Sequence, residues 1–471
     1  MKKIRSALCA LTAVCALLAG CAAPGGAQSL PGATAAGAEA MAGGSVPDSS
    51  YYTLFADEYS QNAVLYGGGG VIYNGPGSAA FVLDAATGQT AGYYVGRYGA
   101  DAVSYTLYDL SGRELLACGP ACPDALLNGW VHLQYNAVAE IGGESESAYQ
   151  NLETGERRLE GYLAPEKLTE NAYLVTRSGM PPTSMLVNAD LEITKDLAPW
   201  YAVSSGELAP DYLNVYCEGS GQETGIQNGL LQVATGELLE GFYAACGPGL
   251  ACFQQGEKYV VRDLAAGQVL ASGPHPFRWY AGGDQVLCPP EGGCIATLNG
   301  KQYACQGVDW QGGVFWLNLQ DGGQLLLGTN GRVLADSAEL GAQYLSLLPG
   351  GYYTVGYGQD GRDVALYSPT GGQLARDSRY NYIYNQWGGP RFRILYDVFC
   401  ASYQQGRTNL YELLSADGAP LLTGLNRIYS ADEYGAAVRR GFTRGVMDYQ
   451  GRWVWSESIF DSFEDEEDEP W

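Results

Sequence analysis

"GVMDYQGRWVWSESIFDSF" occupies residues 445–463 and decides how the chain folds. A polar turn, Asp448-Tyr449-Gln450-Gly451, separates two runs of strand-forming residues. Val and aromatic side chains favour a pleated, half-buried strand. A hairpin loop of three to five residues needs one position at positive φ, which glycine reaches without a Cβ clash. An Asp ahead of it can hold the turn backbone by hydrogen bonds. The stretch reads as a β-hairpin closed by Gly451.

The phrase recurs through the body in looser form: "FVLDAATGQTAGYYV" (81–95), "YTLYDLSGRELLACG" (105–119), "YQNLETGERRLEGY" (149–162), "LLQVATGELLEGFY" (230–243) and "YVVRDLAAGQVLASG" (259–273). It continues as "IATLNGKQYACQG" (295–307), "LLLGTNGRVLADS" (325–337), "ALYSPTGGQLARDS" (365–378) and "YELLSADGAPLLTG" (411–424). "SMLVNADLEITKD" at 184–196 keeps the pattern without the Gly. Successive turn glycines lie mostly ~25 to ~45 residues apart, as in repeat architectures. One hairpin cannot bury its own apolar face, whereas copies stacked around an axis can. The expected fold is all-β: a single β-propeller of roughly seven to nine antiparallel blades at ~40–45 residues each. A β-solenoid and two smaller propellers are the alternatives. Composition agrees, with 66 Gly for turns, 35 Tyr for strands and 46% hydrophobic residues for a core.

The ends are of another kind. Lys2, Lys3 and Arg5 precede an apolar stretch, Ala7 to Ala19, too short for a stable membrane span. It closes in Leu18-Ala19-Gly20-Cys21, which resembles the lipobox of bacterial lipoproteins. The resemblance implies a signal peptide over 1–20, diacylation of Cys21 and cleavage before it. An ordinary secretory signal with an incidental cysteine is the plainer alternative. A lipid at Cys21 would tether the chain to a cell membrane, facing outside the cytoplasm. Residues 21–50 then form an Ala/Gly/Pro/Ser tether with only two charges, Glu39 and Asp48, and a reach on the order of 30 Å. The β-repeat body spans 51–463. Residues 464–471 are an acidic tail whose charges repel one another.

The formal net charge is −25. Phosphate backbones are repelled by such a chain, which argues against nucleic acid as a partner. Nine of the twelve cysteines lie beyond Cys21, and export permits disulfides. Three close pairs flank Gly- and Pro-containing turns: Cys118 with Cys122, Cys246 with Cys252, and Cys288 with Cys294. Local bridges are the expectation, and nine leaves at least one thiol over.

The C-terminal stretch "RRGFTRGVMDYQGRWVWSESIFDSF" resembles the WG-type repeat of bacterial surface proteins and lipoproteins. The matching positions are Gly445, Met447-Asp448, Gly451-Arg452, Trp453-Val454-Trp455 and Phe460-Asp461, with Arg444-Gly445 where that repeat has Trp-Gly. The resemblance implies repeat-mediated binding and brings no catalytic residue with it.

Catalytic signatures are sparse. Only His132 and His275 could serve a Ser-His-Asp triad, and no nucleophile elbow or HExxH is present. "GYGQDG" at 356–361 fits a dinucleotide fingerprint in letters, but strand and turn follow where a helix is required. No metal site and no cofactor is expected. Among 51 acidic residues, paired carboxylates for glycoside hydrolysis remain open, because the separations that matter are spatial. Aromatics are the other lead. "RYNYIYNQWGGPRF" (379–392) is Tyr-rich and polar, which makes Tyr380, Tyr382, Tyr384 and Trp387 candidate binding residues. The leading expectation is a surface-anchored binding or scaffold module whose partner is an envelope protein or a glycan. The competing one is an extracellular glycan hydrolase.

Overall fold

The computed structural model describes residues 50–459, apart from 56–61, 100–102, 136–146, 178–181, 199, 205–210, 219–225, 247–248, 280–283, 288–292, 359–361 and 386–397. The signal segment, Cys21, nearly all of the tether, Phe460-Asp461 and the acidic tail lie outside the described residues.

The repeated phrase folds as its chemistry dictates. In the strand pair Thr443–Asp448 and Trp453–Ser458, Gly451 takes φ +77°. Asp448 Oδ1 accepts from the Gln450 and Arg452 amides at 3.0 and 2.9 Å, and Arg452 returns a side-chain ion pair to Oδ2 at 2.7 Å. Asp109, Ser111 and Arg113 build the same turn in "YDLSGRE". In the copy that lacks the Gly, Asn188 Oδ1 accepts from the Asp190 and Glu192 amides, and Leu191 itself adopts φ +59°. The turn geometry persists there because the rest of its hydrogen bonds persist.

Strands combine into nine hydrogen-bonded sheets among the described residues. Six have four strands in simple meander order and the first, over 51–76, has three. The other two are fused pairs. In the eight-stranded sheet, Ser78–Asp84 and Ala121–Leu127 pair in parallel through Leu83–Ala125 and Asp84–Leu126, which joins two four-stranded meanders by their first strands. In the seven-stranded sheet, the long strand Lys301–Gln311 pairs with Cys294–Leu298 through its first half and with Val314–Leu319 through its second. Nine sheets lie within the expected seven to nine, but the two fusions mean eleven blade-sized units. They average about 37 residues, shorter than the ~40–45 on which that expectation rested.

The parallel contact between first strands places them at the inner edge of the array. Burial agrees: Ala121–Leu127 is buried at every position but Asp124, whereas the fourth strand Gln268–Gly273 has no buried residue. Consecutive units pack face to face through apolar clusters. Leu174 and Leu186 meet Leu213 and Val215, and Leu413 and Leu422 meet Ile428, Val438 and Met447. The last unit also packs on the first, with Tyr429, Ala437 and Val446 against Tyr52, Leu54 and Val64. The array closes on itself. This is a single β-propeller, in which every unit buries both faces, rather than an open solenoid.

Candidate functional site

The unit over 380–425 carries the residues of interest. Its first strand, Tyr380–Tyr384, pairs with Phe399–Gln405, which pairs with Thr408–Leu414. Tyr382 lies opposite Ser402 and Ser402 opposite Tyr411, so the three share a face. Tyr384, opposite Cys400, extends that face toward the next unit. With Asn381, Tyr403 and Asn409 they line a cavity of about 450 Å³, and Tyr382 stands 63% exposed at its rim. Cys400 Sγ donates to the Tyr384 hydroxyl at 3.3 Å. Burial and the neighbouring Cys400 push the Tyr384 phenol well up, and burial raises Tyr403 and Tyr411. The lining holds no carboxylate, guanidinium, ammonium or imidazole.

Tyr380 is not part of this pocket. A period of two would put Tyr380, Tyr382 and Tyr384 on one face. The register instead shifts between Tyr380, opposite Tyr403, and Tyr382, opposite Ser402. This extra residue turns Tyr380 inward. It is 6% exposed, and its hydroxyl donates to Glu412 Oε2 at 2.7 Å. Trp387 lies outside the described residues.

The opposite face of the unit is charged. A cavity of about 470 Å³ there is bordered by Arg376, Asp377, Arg379, Tyr380 and Glu412. Arg379 pairs with Asp377 at 2.7 Å, stands 3.7 Å from Glu412, and lays its guanidinium 4.8 Å from the Tyr403 ring centre. Arg376 pairs with Asp363 at 2.7 Å. The hydrogen bonds from Arg379 and Arg376 hold the Asp377 and Asp363 carboxyls below their ordinary values. Carboxylates held ionised by guanidiniums suit a structural ion-pair set. A general acid for glycoside cleavage needs the opposite shift.

The expected Cys118–Cys122 and Cys246–Cys252 bridges are not formed, since Cys118 and Cys252 are thiols. Each pair does share an apolar cluster between two units. In the first pair, Gly119-Pro120 carries the chain from the last strand of one unit to the first strand of the next. In the second, Cys246 follows the strand Phe242–Ala245 and Cys252 lies in Leu250–Gln255, the first two strands of a single unit. In both pairs the sulfurs go to separate partners. Cys118 Sγ donates to the Leu116 carbonyl at 3.6 Å and Cys246 Sγ to the Ala244 carbonyl at 3.9 Å. Burial pushes the Cys118 thiol up to about 12. Cys294 lies directly across the ladder from the Cys305 thiol, and Cys288 falls outside the described residues.

His132 proves to be a fastening. Its Nδ1 lies 2.5 Å from Asp124 Oδ1, and its Nε2 donates to the Tyr162 carbonyl at 2.8 Å. His275 is exposed at a bend before the strand Phe277–Trp279. Among the described residues, no group of three or more His, Cys, Asp or Glu could hold a metal ion.

A family model described as a domain of unknown function, DUF5046, matches residues 230–466, half of the chain. The chain belongs to the DUF5046 family. The matched region runs from within the fifth unit to past the last strand, so it contains both cavities. No curated protein matches this DUF5046 chain in sequence. Solved structures resemble it in fold alone. BamB from Moraxella catarrhalis is 12% identical, with 79% of this chain and 92% of that one covered and a TM-score of 0.27. Apo AztD from Citrobacter koseri is 12% identical over 79% and 93%, with a TM-score of 0.26. Both are β-propellers. A eukaryotic initiation factor structure is 10% identical over 79% and 94%, with a TM-score of 0.35.

Proposed function

We propose that this chain is an exported, lipid-anchored binding module that meets its partner at the Tyr382 pocket. The carrying observation is the lining of that pocket: aromatic rings, amides and a hydroxyl, with no ionised group. Such a set recognises a ligand and offers no acid, base or nucleophile activated for chemistry. The carboxylates that border the neighbouring cavity, Asp377 and Glu412, lie 2.7 and 3.7 Å from Arg379, which leaves the hydrolase reading without support there. Anchoring rests on the basic, apolar and Leu-Ala-Gly-Cys pattern that ends at Cys21. The tether that follows would hold the ring off the membrane surface.

The test is made on intact cells, with a photo-cross-linking amino acid in place of Tyr382. One dominant cross-linked species is expected, and none at a control position such as Tyr98, which is exposed elsewhere on the ring. Absence of any adduct at 382 would refute the pocket as the recognition site. Separately, Cys21→Ser should move the chain from the membrane to the soluble fraction, and retention in the membrane would refute the lipid anchor.

A further inference from the structure

The Tyr382 pocket has a lining chemistry that narrows its ligand. Its polar groups are the Asn381 and Asn409 amides and the Ser402 hydroxyl, and among the described residues none of these three side chains has a hydrogen-bond partner. Each amide offers two donors and an acceptor, and the hydroxyl offers both roles. Four phenol rings supply the remainder, and burial keeps three of them protonated. An anion would find no counter-charge here, on a chain that already carries −25. A cation would find no carboxylate. A purely apolar ligand would strand the three polar side chains.

We propose that the pocket binds an uncharged saccharide, with pyranose faces against Tyr382 and Tyr411 and hydroxyls hydrogen-bonded to Asn381, Ser402 and Asn409. This rests on the reading of the pocket as a recognition site. A sugar ring has faces of C–H bonds with slight positive charge, which meet the negative face of an aromatic ring. Its rim of hydroxyls both donates and accepts, which matches amides and a hydroxyl better than any single charge does. The cavity of about 450 Å³ is within the range of small-ligand sites, and Tyr382 at its open rim lets a longer chain run outward.

The test uses the purified full chain and calorimetric titration with cello-, malto-, xylo- and N-acetylchito-oligosaccharides, beside a polyuronate and oligolysine. At least one neutral oligosaccharide should bind and the two charged probes should not. Tyr382→Ala should weaken binding by about tenfold or more, the loss of one stacked ring. Tyr382→Phe should stay close to the parent, because the stacking face remains. Asn409→Ala, at an exposed position that cannot affect folding much, should weaken binding severalfold. Failure of every neutral probe, equal binding by Tyr382→Ala, or preference for oligolysine overturns the saccharide assignment. If a polypeptide cross-links at position 382 while no sugar binds, the saccharide inference falls and the recognition site stands. If neither occurs, both fall.

Discussion

Leu191 offers the sharpest check on how the repeat works. It occupies the turn position that glycine fills elsewhere, at φ +59°. A left-handed conformation costs a residue with a Cβ roughly 1–2 kcal/mol. Leu191 is nevertheless 2% exposed, packed in the cluster of Leu127, Trp130, Tyr149, Tyr173 and Met185. Truncating a buried leucine to alanine costs about 2–5 kcal/mol. The burial term is the larger, so Leu is retained despite the strain. Leu191→Ala keeps the strain and loses the packing, and should cost about 2–5 kcal/mol. Leu191→Gly loses the same packing but is relieved of the strain, and should be more stable than the Ala variant by about 1 kcal/mol. In an ordinary strand the order is reversed, with Gly the less stable by about 0.5–1 kcal/mol. Urea unfolding followed by tryptophan fluorescence ranks the three proteins. An Ala variant as stable as the Gly variant would refute the left-handed turn at 191. A Gly variant more stable than the parent would refute the claim that packing outweighs strain.

Other perturbations address closure, acid and thiols. Leu54→Ala at the first–last junction should cost about 2–5 kcal/mol, as much as Leu213→Ala at an internal junction, because both side chains are 0% exposed. An open array would leave Leu54 at a free end and reduce its cost to about 0.5 kcal/mol, the range of surface substitutions. Asp109 is held at about 2, below 3.8, chiefly by Ser111 and with help from Arg113. Its stabilising contribution is complete above 3.8 and lost as pH falls through about 2. Melting temperatures across that window should therefore fall more steeply for the parent than for Asp109→Asn, and parallel curves would count against the turn bonding. Burial pushes the Cys118 and Cys400 thiols up to about 12, so iodoacetamide at mildly alkaline pH should label neither until urea is added. Mass spectrometry of the native protein reads this directly, and labelling of either would show that its cluster opens.

The architecture was legible because the signal is redundant. Ten of the eleven quoted phrases turn out to be the hairpin between the third and fourth strands of a unit, and only 81–95 joins a first strand to a second. The first unit, over 51–76, has three strands and no such phrase, so closure through Tyr52 and Leu54 had no mark in the repeat. Dividing the chain by a typical blade length could not reveal the fusions either. The strand Lys301–Gln311 serves two units at once through a register shift between Cys305 and Gly307. The cysteine spacings misled for a related reason. Gly119-Pro120 hands the chain from one unit to the next, and Cys246 and Cys252 sit by the first two strands of one unit, so in both pairs proximity in sequence became membership of a shared cluster rather than a bond.

The binding pocket was visible in part, and its limit is a single backbone irregularity. Tyr380, Tyr382 and Tyr384 are spaced as one stripe, and alternation alone assigns them one role. A bulge is set by what the partner strands offer, not by the residues that bulge. Glu412, two strands away, takes the Tyr380 hydroxyl on the charged face, while Ser402 and Tyr411 receive Tyr382 on the other. The same strand thus supplies a ring to each of two cavities with opposite chemistry, one crossed by arginine–carboxylate pairs and one without charge. Asn381 is the residue between them, and the bulge that divides the tyrosines is what brings its amide into the uncharged pocket. The polar half of the proposed sugar site therefore depends on the break in the pattern that made the aromatic half recognisable.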